Sequence, residues 1–106
     1  MTDLYTLVEG RPIRCEDPVT WGRWFETADR VLRTTVLNDV TVSTVFLGLD
    51  HNRAGHGAPI LWETMIFGGP HAEYQERYTS AAAALEGHER AVKIATAGRA
   101  IQSREE

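Results

Sequence analysis

The sequence predicts an α+β domain: a small antiparallel sheet of three to four strands, with a long C-terminal helix on one face and a short Trp-rich helix before the sheet. Two runs rich in β-branched and aromatic residues, 40–49 and 60–67, flank a connection dense in Gly, His and Pro, which is typical of neighbouring antiparallel strands. After residue 80, apolar residues recur three and four apart, which is typical of an amphipathic helix. The length of 106 residues suits one domain, 1–106, with a single modest core.

Composition and charge argue against several classes of function. The formal net charge is −4. Sequence-independent binding of nucleic acid needs a surface rich in Lys and Arg, so we expect no nucleic-acid partner. The single cysteine, Cys15, cannot form an internal disulfide, which favours a reducing compartment. No charged-then-apolar leader opens the chain, and no apolar run approaches the ~20 residues that span a bilayer. We therefore expect a soluble cytoplasmic protein with no membrane partner.

Residues 1–16 allow two interpretations. The stretch from Leu4 to Val8 has strand composition, but Gly10 and Pro12 interrupt the pattern soon after it. The segment is therefore predicted to be either an edge strand or an N-terminal arm.

The next segment predicts a short helix from Pro18 to about Thr27. Asp17 suits the N-cap, and proline suits the first helical position because the N–H at that position has no intrahelical partner. Trp21 and Trp24 recur at helical spacing, so both indoles are expected on the side that faces the core.

Two strands, 30–37 and 40–49, are predicted on either side of Asn38-Asp39, because both residue types tolerate the positive φ of a tight turn. If Leu37 faces Val40, the pairing sets Leu32 opposite Val45. The strand after the turn is apolar on both alternations, so we expect it to be central and covered on both faces for part of its length.

The third strand, 60–67, contains one carboxylate, Glu63, in the middle of an otherwise apolar face. Because burying a lone charge costs several kcal/mol, we expect Glu63 to be near the rim, paired or protonated.

The C-terminal part predicts a polar ordered loop over 71–78, then a helix that Thr79 or Ser80 caps and that ends near Ala97, with Gly98 as its stop. Residues 99–106 are expected to be frayed helix or a solvated tail. Gly87 lies beside the apolar stripe and would let the helix approach the sheet closely. The predicted stripe comprises Ala81, Ala84, Leu85, His88, Ala91, Val92 and Ala95.

A long signature, VSTVFLGLDH at 42–51, is followed by ETM at 63–65 and by EGH at 86–88. Further members of the pattern are Trp21, Trp24-Phe25-Glu26, Pro59, Phe67 and Glu76-Arg77-Tyr78. This pattern covers most of the chain and resembles a family of small uncharacterised proteins that is frequent in bacteriophage and prophage genomes and occurs in some bacteria. The resemblance implies a context, a phage or prophage protein in the host cytoplasm, and it implies no mechanism.

The chain departs from this family in the loop 53–59. Family members tend to have a Phe followed by a Gly-rich sequence and two prolines, whereas the loop here reads RAGHGAP. His56 therefore falls outside the shared pattern, which argues against a role for it as a ligand common to the family.

The residues with catalytic or metal-binding chemistry are Asp50, His51, Glu63 and His88. Two imidazoles and two carboxylates are suitable groups for metal binding or acid–base catalysis, but their spacing matches no metal-binding or catalytic signature. The structural interpretation has Asp50 and His51 anchoring the following loop and His88 in the core, with Glu63 or a main-chain carbonyl as its partner. We favour this interpretation and predict no catalytic residue, no metal and no cofactor.

A small basic-aromatic pocket for an anionic ligand is a second candidate site. Arg23, Arg30, Arg33 and Arg53 could gather at one edge with Trp21, Trp24 or Trp62, and the predicted lining is Trp21, Arg30, Arg33 and Trp62. The alternative is that these arginines are solvated, with their stems packed on the surface.

Two classes of function remain open. The first is a non-catalytic accessory or binding protein of phage or prophage type, which acts on a host protein or sequesters a small ligand. The second is a small metal-dependent or acid–base hydrolase that uses Asp50, His51, Glu63 and His88. The exposed edges of so small a sheet also leave room for a symmetric homodimer.

Overall fold

The computed structural model describes residues 2–105, and the side chains of residues 2–97. In chain order the elements of this part are β1 Leu4–Val8, β2 Arg11–Cys15, α1 Pro18–Thr27, β3 Val31–Leu37, β4 Val40–Phe46, β5 Trp62–Phe67, β6 Gln75–Tyr78 and α2 Ala81–Glu105. β1 and β2 form a hairpin, and the other strands form a four-stranded antiparallel sheet in the order β3-β4-β5-β6. The predicted α+β fold is confirmed.

The N-terminal hairpin stands beside the main sheet and does not extend it. Its turn uses positive φ at Glu9 (52°) and Gly10 (77°), a combination that matches the twist of a tight hairpin. The free edge of β1 meets the segment after β4, where the Tyr5 N–H donates to the Gly48 carbonyl at 2.8 Å. Pro12 is tolerated because each strand of a two-stranded hairpin is an edge strand.

Helix α1 has the predicted bounds and fastens the hairpin to the rest of the fold. The Asp17 carboxylate caps it by accepting from the Val19 N–H at 3.1 Å and from the Thr20 hydroxyl at 2.6 Å. The bond from Thr20 is the main cause of a lowered pKa at Asp17, and the bond from Val19 lowers it further. At the other side, Trp21 Nε1 donates to the Tyr5 carbonyl at 2.9 Å, and Trp24 meets the ring of Phe46 edge-on at 6.1 Å.

The register of β3 against β4 is as predicted from Leu37 back to Arg33 and differs only at the start of β3. Leu37 lies opposite Val40, and Asn38 takes the expected positive φ of 57°. The pairing then shifts between Val31 and Arg33, so Val31, and not Leu32, lies opposite Val45. A single extra residue in one strand produces such a shift and leaves no trace in the hydrophobic alternation at that point.

Two further expectations about the sheet are corrected by the structure. β4 is an inner strand, but only its Val40, Val42, Thr44 and Phe46 side is buried, so it is covered on one face. The predicted loop 71–78 contains β6, which pairs with β5 and makes β5 an inner strand as well. The sequence of β6, QERY, is too polar to show a strand pattern. Tyr78 and Glu76 face the helix, whereas Gln75 and Arg77 face away from it.

Helix α2 begins as predicted and continues past its predicted end. The Ser80 hydroxyl accepts from the Ala83 N–H at 3.1 Å and caps the helix. The stop predicted at Gly98 is wrong, because α2 extends to Glu105. One glycine costs a helix only ~1 kcal/mol, which the strong helix formers after it can offset. The side chains of the predicted tail, 99–106, lie outside the described residues.

The predicted stripe of α2 packs on β3 to β6, with Ala84, His88 and Ala91 fully buried. Gly87 permits this contact, because a Cβ at this position would collide with the phenol of Tyr78. The close approach that the sequence predicted for Gly87 is therefore confirmed.

Replacing the two helical glycines by alanine should change stability in opposite directions. Gly87→Ala gains helix propensity of ~1 kcal/mol but overpacks the core against Tyr78, at a cost of about 1–3 kcal/mol, so we expect lower stability. Gly22→Ala, in α1, meets no atom within 4 Å and should stabilise by up to ~1 kcal/mol. Urea unfolding of both variants measures the difference, and a stabilised Gly87→Ala would contradict the packing described.

Candidate functional site

A buried polar chain runs under α2, formed by Thr35, His88, Thr44 and Thr64. The His88 side chain is fully buried, with Nε2 at 2.8 Å from the Thr35 hydroxyl and Nδ1 at 2.7 Å from the Thr44 hydroxyl. The Thr44 and Thr64 hydroxyls are 2.6 Å apart. His88 is thus a satisfied core histidine, as predicted, but the expected partner, Glu63 or a main-chain carbonyl, is wrong. β-branched threonines carry strand propensity and a hydroxyl together, so they supply the partners without interrupting the strands.

Tyr78 and the half-buried carboxylate of Glu76 form a second hydrogen-bonded group on β6, next to Thr64. Tyr78 donates its proton to Glu76 Oε1 at 2.9 Å, and Arg90 on α2 donates to the same oxygen at 2.8 Å. The bond from Arg90 is the main cause of a lowered pKa at Glu76. Burial raises the pKa of Tyr78 to about 12, while the neighbouring Thr64 hydroxyl lowers it in part. Tyr78 is therefore a neutral donor at physiological pH, next to an ionised acceptor.

Glu63 lies on the sheet face opposite to His88. Neighbouring residues of a strand point to opposite faces, so Thr64 faces α2 and Glu63 faces away from it. The Glu63 carboxylate is 7 % exposed, and its Oε2 accepts from Arg77 Nε at 2.8 Å and from Gln75 Nε2 at 2.7 Å. Of the alternatives that the sequence left open, the structure selects a paired Glu63.

Asp50 and His51 organise the start of the loop after β4. Asp50 Oδ1 accepts from the backbone N–H groups of Asn52 at 2.8 Å and of Ile60 at 2.9 Å, and so ties the two ends of the loop together. His51 Nδ1 donates to the Leu49 carbonyl at 2.9 Å. Both are loop-anchoring residues, in keeping with the structural interpretation of the sequence. Within the described residues, no group of three or more His, Cys, Asp or Glu side chains is arranged to hold a metal.

The predicted basic-aromatic pocket is not assembled in the structure. Arg30 lies over the Phe25 ring, 3.9 Å from its centroid, and donates to the Phe46 carbonyl, whereas Arg33 pairs with Glu89 of α2 at 3.0 Å. Trp62 is only 2 % exposed, and Trp21 is half-buried and donates its indole N–H to the backbone of β1, so the four predicted residues do not line one common pocket.

A cleft of about 550 Å³, here called the loop cleft, opens between β1 and the loop after β4. Its lining comprises Thr2, Asp3, Tyr5, Asp50, Asn52, Arg53, Gly55, His56, Gly57 and Pro59. Asn52 holds the loop wall in one shape, because its amide donates to the carbonyls of His56 and Ala58, both at 2.9 Å, and its Oδ1 accepts from the Ala54 N–H at 2.9 Å. The volume lies within the range of small-molecule sites.

The polar side chains of the loop cleft differ in whether they already have a hydrogen-bond or ion-pair partner. Asp3 pairs with Arg14 at 3.3 Å, and Asp50 accepts two backbone N–H groups. Arg53 and His56, by contrast, have side chains without a hydrogen-bond or ion-pair partner among the described residues. Of the charged side chains that line the cleft, Arg53 is therefore the one without a partner among the described residues.

Sequence reasoning missed this site, although one of its signals was present. The sequence predicts Arg53 at one edge with Arg23, Arg30 and Arg33, and the departure of His56 from the family pattern argues against a role for it as a common ligand. The second wall, Asp3 and Tyr5, is some fifty positions away in the chain, and no local pattern joins it to the loop.

Comparison with protein-family models, with curated proteins and with solved structures gave no match for this chain. No helix in residues 2–105 is both long and apolar enough to cross a membrane.

The stability of the protein should decrease below about pH 6.5 because of His88. Burial, followed by the charge of Arg33, lowers the folded-state pKa of His88 below its ordinary 6.5, although Glu89 opposes this effect. The unfolded chain then binds a proton that the folded chain does not, so stability is complete above pH 6.5 and is lost as the pH falls through the folded pKa, by at most ~1.4 kcal/mol per pH unit.

This effect is measured as the difference between the wild type and His88→Gln in urea unfolding between pH 7.5 and 5.5. The other histidines are present in both proteins, so their contributions cancel in the difference. The pKa values of Asp17 and Glu76 are lowered from the ordinary 3.8 and 4.5, so both groups titrate outside this pH window. We expect His88→Gln to be less stable by about 2–4 kcal/mol at pH 7.5, and this difference to shrink towards pH 5.5. A difference that stays constant with pH would contradict the buried neutral imidazole.

His88 should carry its proton on Nδ1. The Tyr78 O–H donates its hydrogen bond to Glu76, so the Tyr78 oxygen can only accept a hydrogen bond from the neighbouring Thr64 hydroxyl. Thr44 then donates to Thr64, and Nδ1 donates to Thr44, leaving Nε2 to accept from Thr35. The ¹⁵N chemical shifts of the two ring nitrogens at neutral pH distinguish the tautomers, and a protonated Nε2 would mean that the chain of donors runs in the other direction.

Proposed function

We propose that this chain is a non-catalytic binding protein of phage or prophage type, and that the loop cleft binds a small anionic ligand. The observation that carries the proposal is the pair of unsatisfied side chains, Arg53 and His56, on the wall of a cleft large enough for a small molecule. Asp3 and Asp50 of the same cleft already have hydrogen-bond partners, so the side-chain donors still open to a ligand there include those of Arg53 and His56, which suit an anionic group.

The rigidity of the loop wall supports binding at this place. Asp50 joins the two ends of the loop, and Asn52 makes three bonds across its tip, so little further ordering of the backbone is needed when a ligand enters. Arg53 presents five N–H donors in a planar fork, which matches the oxygens of a phosphate or carboxylate group. The ligand class that fits these features is a small molecule with at least one such group.

The non-catalytic part of the proposal is supported by the state of the candidate catalytic residues. Glu63 and His88 are separated by the sheet, and Asp50 and His51 are engaged with backbone groups of their own loop. The alternative, a hydrolase that uses these four residues, would require them to converge on one substrate atom. In the phage or prophage context that the resemblance implies, sequestering a small host ligand is a function that needs binding without turnover.

Titration of ¹⁵N-labelled protein with inorganic phosphate, AMP and citrate tests the proposal. We expect at least one of these anions to shift the amide signals of residues 52–59 and of the start of β1 in a saturable way. Arg53→Gln should weaken that binding at least about tenfold, because a charge-assisted hydrogen bond contributes about 1.5–3 kcal/mol. Arg23→Gln is the matched control, since Arg23 is exposed on α1 and does not line the cleft.

Two results would contradict the proposal. One is that none of the three anions shifts the loop signals at millimolar concentration. The other is that Arg53→Gln and Arg23→Gln weaken binding equally, because a general effect of net charge, and not the cleft, would then account for the attraction.

A further inference from the structure

The loop cleft contains two carboxylates as well as the cationic Arg53. Asp3 and Asp50 both line it, and their backbones meet where the Asp50 N–H donates to the Asp3 carbonyl at 3.1 Å. This is the junction of the two walls, because Asp3 directly precedes β1 and Asp50 lies at the start of the loop. Arg53 forms no ion pair with a carboxylate of the described residues, so the acceptors and the cation occupy different places in the cleft.

Each of these carboxylates has one oxygen in use and one still open. Oδ1 of Asp50 accepts the backbone N–H groups of Asn52 at 2.8 Å and of Ile60 at 2.9 Å. Oδ1 of Asp3 pairs with Arg14 at 3.3 Å. No described residue donates a hydrogen bond to Oδ2 of either side chain. Because an ionised carboxylate only accepts hydrogen bonds, a ligand needs donor groups at this end of the cleft.

Hydroxyl groups fit these oxygens better than an ammonium group does. The charge of each carboxylate is already offset in part, that of Asp50 by two backbone N–H groups and that of Asp3 by a guanidinium group. A neutral hydroxyl can donate to Oδ2 and also accept from a neighbouring donor, such as the hydroxyl of Thr2, which lines the same cleft. An ammonium group only donates, so it would leave such a neighbour without an acceptor.

The rest of the lining is too polar for a ligand with a large apolar part. Among the described lining residues, Pro59 and Tyr5 carry an apolar ring, and the others are glycines or polar residues. Sites for apolar ligands are lined mainly by hydrophobic and aromatic side chains. The volume of about 550 Å³ is also larger than one inorganic phosphate needs, so the ligand should carry further hydrophilic atoms beside its anionic group.

We infer that the ligand of the loop cleft is a phosphorylated sugar, with its phosphate on Arg53 and at least one of its hydroxyl groups on Oδ2 of Asp50. The inference rests on the anion binding proposed above and adds the part of the ligand that gives specificity. Asp50 holds the loop with one carboxylate oxygen and binds the ligand with the other. A carboxylate has the same role toward ribose hydroxyls in dinucleotide-binding sites.

Calorimetric titration with glucose 6-phosphate and cyclohexylmethyl phosphate, at constant ionic strength, tests the inference. Both molecules carry a phosphate on a six-membered ring of similar size, but only the sugar has hydroxyl groups. Glucose 6-phosphate should bind the wild type at least about tenfold more tightly, because its hydroxyls form charge-assisted hydrogen bonds that the other ring cannot form.

Asp50→Asn examines the role of the open oxygen. The amide keeps an Oδ1 that can accept from Asn52 and Ile60 and replaces only Oδ2, so amide NMR spectra should show an intact loop. Glucose 6-phosphate should bind this variant about fivefold more weakly, and inorganic phosphate should bind it no more weakly than it binds the wild type. Asp29→Asn is the matched control, because Asp29 also accepts a backbone N–H, at 3.2 Å, and does not line the cleft.

The outcomes separate this inference from the proposed function. Equal affinities for glucose 6-phosphate and cyclohexylmethyl phosphate, both weakened by Arg53→Gln, would overturn the sugar and leave anion binding in place. Tighter binding of phosphoethanolamine than of glucose 6-phosphate would also overturn it, because the acidic end would then bind an ammonium group. Equal effects of Asp50→Asn and Asp29→Asn would overturn the role of Asp50. If no phosphate compound binds, both proposals are wrong.

Discussion

The hydrogen bonds of the buried His88 imidazole determine how the two layers of this protein fit together. An imidazole without water must have both ring nitrogens paired, since an orphaned buried polar group costs about 1–3 kcal/mol. The partners are the hydroxyls of Thr35 on β3 and Thr44 on β4, so α2 can satisfy its histidine in only one rotation and one position along the sheet. Apolar packing alone tolerates sliding of a helix over a stripe of alanines, whereas these bonds do not.

The close approach of α2 follows from the same constraint. Bonds of 2.7 and 2.8 Å from a helix side chain to strand hydroxyls require short distances between the two layers, and Gly87 beside His88 provides the space where Tyr78 would otherwise meet a Cβ. Tyr78 in turn bonds Glu76, which Arg90 of the same helix reaches from outside. The first half of the helix is therefore held by the bonds of the His88 imidazole and by the Arg90–Glu76 ion pair, and small residues such as Ala84 and Ala91 fill the space between helix and sheet.

The parts of the fold that local chemistry controls could be predicted from the sequence. Asp17-Pro18 set the start of α1, Asn38 set the β3–β4 turn, and Ser80 set the start of α2, because in each case one residue supplies the required hydrogen bond or φ angle. The parts that depend on a partner elsewhere in the chain could not be predicted. β6 is a strand because β5 offers it an edge, and the bulge in β3 follows from the pairing with β4.

The same distinction explains what could be predicted about the candidate site. The role of Asp50 is local, since it bonds N–H groups next to it and across its own loop, and the sequence indicated it. The alternation of β5 already implies that Glu63 and Thr64 face opposite ways, but not which of the two faces the helix covers. Pairing His88 with Glu63 assumed that both lie on the same face of the sheet. The actual partners of His88 are the hydroxyls of Thr35 and Thr44 on the face that α2 covers.

The sheet face under α2 is occupied by hydrogen bonds to the helix, so a binding function has to use other surfaces of the protein. His88 and Tyr78 are hydrogen-bonded under α2, whereas side chains of the loop cleft remain available to a ligand. The hydrogen bonds between β4 and β5 continue into the base of the loop. Leu47 N donates to the Leu61 carbonyl at 2.7 Å, and His51 N donates to the Ile60 carbonyl at 3.0 Å, so the base of the loop is fixed to the sheet. The hairpin joins the same structure where the Asp50 N–H donates to the Asp3 carbonyl at 3.1 Å. Both walls of the cleft are therefore fixed to one rigid body, and Arg53 needs only to order its own side chain to hold an anion.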